Sequence, residues 1–142
     1  MTRRDYLHLL LTYARSQRRD GKPWVAEDLD PLSGKWIVDL PRSIYYNHSG
    51  FADPMITGLV GLRPRADSRV VVNPLVPAGA WDWFCLDGLP YHGRSLAVLW
   101  DRTGKRYGKG KGLRLFCDGR LLAARPALGR LAAALPQDGR RL

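Results

Sequence analysis

Only two cysteines, Cys85 and Cys117, occur among 142 residues, so no disulfide framework holds this fold together. No CxxC pair is present either, which removes the usual thiolate spacing of a zinc site. Both cysteines fall in strand-like segments and are expected as buried, reduced thiols. Acidic residues are scarce as well: 13 Asp and Glu face 23 Lys and Arg, a formal charge of +10. Such an excess raises nucleic acid as a partner. Yet arginine supplies 18 of those cations, scattered as Arg3-Arg4, Arg18-Arg19, Arg63, Arg65 and Arg140-Arg141, with the lysines of Lys105 to Lys111 between. The pattern is a chain-wide bias rather than one binding stripe, which disfavours nucleic acid.

Long apolar runs are missing too. Nothing approaches the ~20 residues that a helical membrane span requires, so no membrane partner is expected. Leu7 to Leu11 lies behind Arg3 and Arg4, but it is too short for a secretion signal and no small-residue cleavage site follows. The chain is therefore read as soluble and cytoplasmic, with no metal and no cofactor. What it does have is a hydrophobic content of 45%, enough for one ordinary domain or two very small ones.

The chain opens on a helix. Thr2 and Asp5 form a capping pair, each side chain satisfying a free backbone N–H. Leu7, Leu10, Leu11 and Ala14 recur at helical spacing, and Arg15, Arg18 and Arg19 suit the negative end of the helix dipole. Asp20-Gly21 stops it. Tyr6, Leu9 and Tyr13 widen the apolar surface, so this helix needs cover on most sides. Residues 22–48 hold no period and form a long loop rich in aromatics, a kind of segment that often carries function. A shorter helix is predicted between Ser49 and Leu59, with Phe51, Met55, Ile56 and Leu59 on one face; Asp53-Pro54 could serve as its cap and first position.

Beyond Pro64 the pattern changes. Val70–Val72, Trp83–Leu86, Ser95–Trp100, Leu113–Cys117 and Arg120–Ala124 are short β-prone runs. Turn signals separate them: Asn73-Pro74, Asp87-Gly88, His92-Gly93, Thr103-Gly104 and Asp118-Gly119. Asp118-Gly119 is the strongest, because glycine supplies the positive φ of a two-residue hairpin turn. Evenly spaced short strands point to a sandwich or small barrel. The expected class is α+β: an N-terminal helical segment over 1–65, an antiparallel β-sandwich over 66–135, and a flexible tail over 136–142.

One loop has the composition of a site. It sets Glu27, Asp28 and Asp30 between Trp24 and Trp36. Sugars offer apolar C–H faces that stack on indoles and hydroxyls that need acceptors, and a carboxylate beside tryptophan can act as general base on water. The competing reading is a solvated acidic turn whose tryptophans serve as core.

The string PWVAEDLDPLSGKW, followed by YYNHSGFADPMITGLVGLRPRAD, resembles the end of the catalytic domain in six-hairpin, (α/α)6-toroid glycosidases. These include the mannosylglycerate-hydrolase-like and trehalase/glucosidase-like families. The continuation VVNPLVPAGAWDWFCLDGLPYHGRSLAVLWDRTGKRYGKGKGLRLFCDGR resembles the β-sandwich that follows the toroid, so the likeness spans about residues 3 to 135. In those families a Glu in an E-x-x-x-P-x-[ST]-G loop is the usual candidate for the base that activates water. The resemblance gives that role to Glu27, with Pro31, Ser33 and Gly34 matching the rest. It also implies that Trp24, Trp36, Asn47 and His48 line a sugar pocket. Taken alone, His48 reads as a packing or capping residue, and Tyr45 and Tyr46 as packing.

The resemblance implies a hydrolase acting on glucoside- or mannoside-type sugars, with carbohydrate as ligand. It also implies an incomplete machine, because the acid partner of such a base lies far upstream and six helical hairpins cannot be built from two helices. Either the missing remainder of the toroid or self-association is expected to complete the fold, or the β domain folds while residues 1–60 are mobile. Two other classes compete. A free-standing carbohydrate-binding module would use Trp81-Asp82-Trp83, although that run reads better as sandwich core. A nucleic-acid binder would use Lys105 to Lys111, although glycines and lysines there also make an ordinary solvated loop.

Overall fold

The computed structural model describes residues 1–25, 27–30, 32–37, 40–46 and 50–137. Backbone contacts divide the chain into two compact units, Met1–Pro54 and Met55–Leu142. The sequence placed the boundary at residue 65; it falls earlier because Leu59, Val60 and Leu62 are buried in the C-terminal unit.

In the N-terminal unit, helix α1 spans Arg3–Ser16 and starts as the capping pair predicts. Thr2 N–H donates to Asp5 Oδ2 at 2.7 Å and Asp5 N–H to Thr2 Oγ1 at 3.2 Å. Leu7 and Leu10 are buried, whereas Leu9 remains 59% exposed. Asp20-Gly21 does more than end the helix. With φ of 52° and 75° it closes a miniature hairpin in which β1 (Arg18–Arg19) pairs with β2 (Lys22–Pro23). Positive φ at both turn residues is what a type I′ connection demands.

A π-wound helical turn, Pro54–Val60, leads into the C-terminal unit in place of the α-helix expected there. Gly61 N–H reaches back to Ile56 O at 3.0 Å, an i→i+5 bond, and Pro54 sits at the first position, where its missing N–H costs nothing. Two antiparallel sheets follow and make the sandwich that the sequence predicts. One orders β3 (Leu62–Arg63), β4 (Arg69–Val72) and β9 (Leu131–Ala134). The other runs β5 (Trp83–Tyr91), β6 (Arg94–Asp101), β7 (Gly112–Cys117) and β8 (Arg120–Arg125) in chain order.

The core draws on both sheets. Val70, Val72, Leu96, Val98, Leu113 and Leu115 are all essentially inaccessible. Along β7 the alternation is clean: Leu113, Leu115 and Cys117 point inward while Arg114 and Phe116 are half-buried. Burying each such leucine or valine contributes ~1.5–3 kcal/mol.

Three expectations change here. Asp87-Gly88 is not a turn between strands but a bulge inside β5, where the register slips between Leu86 and Leu89 and Gly88 adopts φ 67°. Cys117 is buried as expected, but Cys85 is exposed. Trp83 is not core: its side chain is 48% exposed. The segment read as a tail, 136–142, is described only through Gln137; just ahead of it Leu135 is buried, its N–H bonded to Ser68 O at 2.7 Å. Among the described residues, no helix is long and apolar enough to cross a membrane.

Candidate functional site

The acidic loop of the N-terminal unit is built outward from the end of α1. Trp24 N–H donates to Gln17 O at 3.0 Å, which anchors the strand leaving the miniature hairpin. The Arg19 guanidinium lies over the Trp24 ring, 5.0 Å from its centroid, and the Tyr45 ring sits 6.2 Å away at 52°. Tyr45 N–H donates to Val25 O at 2.7 Å, so the 40–46 segment is tied to the residues just ahead of Glu27. Within 40–46, Ser43 is buried; its Oγ accepts from Leu40 N–H at 3.2 Å and donates to Leu40 O at 2.9 Å.

After Glu27 the chain turns back on itself. Leu29 and Trp36 form an antiparallel bridge, flanked by Ile37 N–H to Asp28 O at 3.2 Å and Asp30 N–H to Lys35 O at 2.8 Å. Asp30 holds the tip: its carboxylate accepts from Leu32 N–H at 2.9 Å and Ser33 N–H at 2.7 Å. Donation from the Ser33 backbone, chiefly, keeps the Asp30 carboxyl below the usual carboxylate range. Asp30 is thus committed to the turn. Glu27 is exposed and makes no hydrogen bond or ion pair with another described residue. Of the loop's three carboxylates, Asp30 is the one that builds it, and Glu27 stays available to a ligand.

Trp24 and Trp36 are half-buried, and among the described residues their indole Nε1 donors are buried without an acceptor. Buried donors are nearly always satisfied, so two in one loop mark places where an acceptor belongs. Sequence reasoning chose these tryptophans for their rings and did not foresee the unpaired donors. Asn47 and His48 lie outside the described residues. Tyr45 and Tyr46 are exposed rather than packed in a core. No group of three His, Cys, Asp or Glu among the described residues is placed to hold a metal ion.

The C-terminal unit carries a second organised feature, one that the sequence reading passed over. Asp101 ends β6 with 1% of its surface exposed. Its Oδ1 accepts from Thr103 N–H at 3.1 Å and Gly104 N–H at 2.7 Å, and its Oδ2 from Arg106 N–H at 2.8 Å and Tyr107 N–H at 3.2 Å. Burial pushes this carboxyl up, but donation from Tyr107, Gly104, Thr103 and Arg106 outweighs it and holds the group below the usual range. The basic loop before β7 is therefore pinned in one shape. It lays the Arg106 guanidinium 4.3 Å from the centroid of Trp83 and sets Tyr107 edge-on to the same ring at 6.3 Å. The signal available in the sequence was Asp101 followed by Thr103-Gly104, an aspartate placed to cap its own turn. Beside Trp83, an apolar cleft of about 770 Å³ runs along Met55, Ile56, Trp81 and Phe84.

Comparison with known proteins agrees with this architecture. Residues 62–123 match the model for the C-terminal domain of glycosyl hydrolase family 65. A solved structure that bears the name "Sialidase" superimposes with a TM-score of 0.88 at 45% sequence identity, covering 100% of this chain and 13% of that chain. The present chain thus spans about one-eighth of the length of the structure it resembles. Over residues 62–123 its β-sandwich is thus similar to the C-terminal domain of glycosyl hydrolase family 65.

Proposed function

We propose that this chain supplies the base-bearing end of a glycoside hydrolase catalytic domain together with the β-sandwich that follows it. Glu27 is the general base. It takes a proton from the water that attacks the anomeric carbon, while Trp24 and Trp36 receive the sugar's apolar faces and donate their indole N–H groups to its oxygens. Asn47 and His48 complete the pocket in this reading. The second carboxyl group, the acid that protonates the leaving oxygen, comes from a segment outside residues 1–142. In an inverting hydrolase the two groups stand ~6.5–9.5 Å apart, with water between them.

The observation that carries the reading is the end-to-end likeness, at 45% identity, to a much longer chain, joined to the family 65 C-terminal match. The exposed Glu27 carboxylate, flanked in sequence by two indoles whose N–H groups lack an acceptor among the described residues, supports the placement of the base. A glucoside or mannoside is the substrate class proposed here, and the name of the similar structure adds a sialoside to the substrates worth testing. One of those three glycosides should be hydrolysed when the chain is joined to the rest of the longer relative, and all three left intact by residues 1–142 alone. Full activity of the short chain by itself would refute the reading.

A further inference from the structure

The end of α1 and the tip of the acidic loop enclose a cavity of about 400 Å³ lined by Arg15, Ser16, Arg18, Arg19, Lys35 and Trp36. Among the described residues, no carboxylate lines it. Arg15, Arg18 and Lys35 therefore bring positive charge to one space, while the Arg19 guanidinium lies over the Trp24 ring. The helix dipole accounts for Arg15, which sits in the last turn where backbone carbonyls are unpaired. It does not account for Lys35 and Trp36, which reach the same cavity from a separate hairpin.

The neutral groups follow the same bias. The Trp36 indole N–H is a buried donor with no acceptor among the described residues. Ser16 Oγ already donates to Tyr13 O at 2.6 Å and accepts from Gln17 Nε2 at 3.2 Å, so this neutral hydroxyl is already engaged. The cavity presents donors and positive charge. What fits is a ligand with several acceptor oxygens, at least one carrying charge, in a volume suited to a single sugar ring.

We infer that this cavity is a subsite for an acidic saccharide, a sugar whose carboxylate or sulfate group is held by Arg15, Arg18 and Lys35 while a ring oxygen accepts from Trp36. Arginine forks recognise such planar or tetrahedral oxyanions bidentately, and lysine adds a point charge. The saccharide half of the inference rests on the glycosidase reading; the anion half rests on the cavity alone.

Titrating the full 142-residue chain, observed by NMR, with methyl β-glucuronide, methyl β-glucoside and inorganic sulfate separates the contributions. The first two ligands differ only in a carboxylate against a hydroxymethyl group. The glucuronide should shift the Trp36 indole N–H resonance and bind roughly tenfold or more tightly than the glucoside. Lys35→Glu and Arg15→Glu should each abolish that preference, and Lys35→Gln should weaken it. Lys109→Glu makes the same change of charge in the basic loop of the other unit and should leave the preference intact. Arg15 and Lys35 are exposed, so an unchanged amide spectrum elsewhere checks that these variants still fold. Equal binding of glucuronide and glucoside, equal binding of sulfate and glucuronide, or an equal loss in Lys109→Glu overturns the inference. The glycosidase reading fails differently: if hydrolysis by the joined enzyme did not need Glu27, the carboxylate preference measured here would remain.

Discussion

The two halves of this chain bury their large apolar side chains to different degrees. Residues 55–142 remove Leu59, Leu96, Leu113 and Leu115 from solvent almost completely and back them with Val70, Val72, Val76 and Val98. Residues 1–54 bury Leu7 and Leu10 but leave Leu9 59%, Leu32 97%, Ile37 62% and Tyr45 75% exposed. The difference lies in the elements available. A sandwich closes its own core because each sheet covers the other. One helix and a set of loops have no second layer. Among its described residues the N-terminal half leaves Leu9, Leu32, Ile37 and Tyr45 exposed, apolar surface of the kind a segment of a helical toroid presents to its neighbours.

Substitutions can break or sharpen that contrast. The largest effect is expected at Leu113→Ala, which should cost the β domain ~2–5 kcal/mol in chemical denaturation, through lost burial and the cavity left behind. Next comes Asp101→Ala. It removes the acceptor of four backbone N–H groups in a partly buried turn, so the midpoint should fall and the Arg106 and Tyr107 amides should lose hydrogen-exchange protection. Acid should produce a smaller and graded loss. Asp101 and Asp118 both titrate below their ordinary range when folded, Asp118 chiefly because Ser95 N–H donates to it. A depressed folded pKa means that the stabilisation is fully present above the unfolded value near 4 and declines as pH falls through the folded one. Denaturation midpoints should therefore hold from about pH 7 to about 5 and drop below about 4. Leu9→Gln should do least, within about 0.5 kcal/mol, because it exchanges one exposed good helix former for another. A loss at Leu9 as large as that at Leu113 would erase the distinction between the halves.

Much of the fold was legible because its signals are local. The Thr2–Asp5 cap and the Asp118-Gly119 turn each rest on residues close together in the chain, and both stand as read, the turn with φ of 49° and 76°. The β-prone runs declared themselves by alternation. What escaped detection depends on tertiary partners. Leu131–Ala134 is alanine-rich and poor in β propensity, and it is a strand because it pairs with Arg69–Val72. Asp87-Gly88 carries the same residues as a hairpin turn, yet pairing with β6 on either side makes it a bulge. Trp83 lies in an apolar run and still faces outward, since Arg106 and Tyr107 cover its ring.

The candidate site divides along the same line. The order of residues around Glu27 can be read directly, as can the turn that Asp30 pins. The unpaired indole donors and the cluster of cations at the end of α1 need the hairpin folded back before they share a cavity. Composition could not reveal them, because Lys35 is remote in sequence from the arginines it joins.

Glu27 bears the central claim, and kinetics of the joined enzyme carrying Glu27→Gln address it most directly. Glutamine keeps the size and hydrogen-bonding edge of the side chain but cannot take up a proton. The variant should retain its KM and lose ~10²–10⁴-fold in kcat, with the β domain melting as before. A kcat within about twofold of the parent would place the base elsewhere.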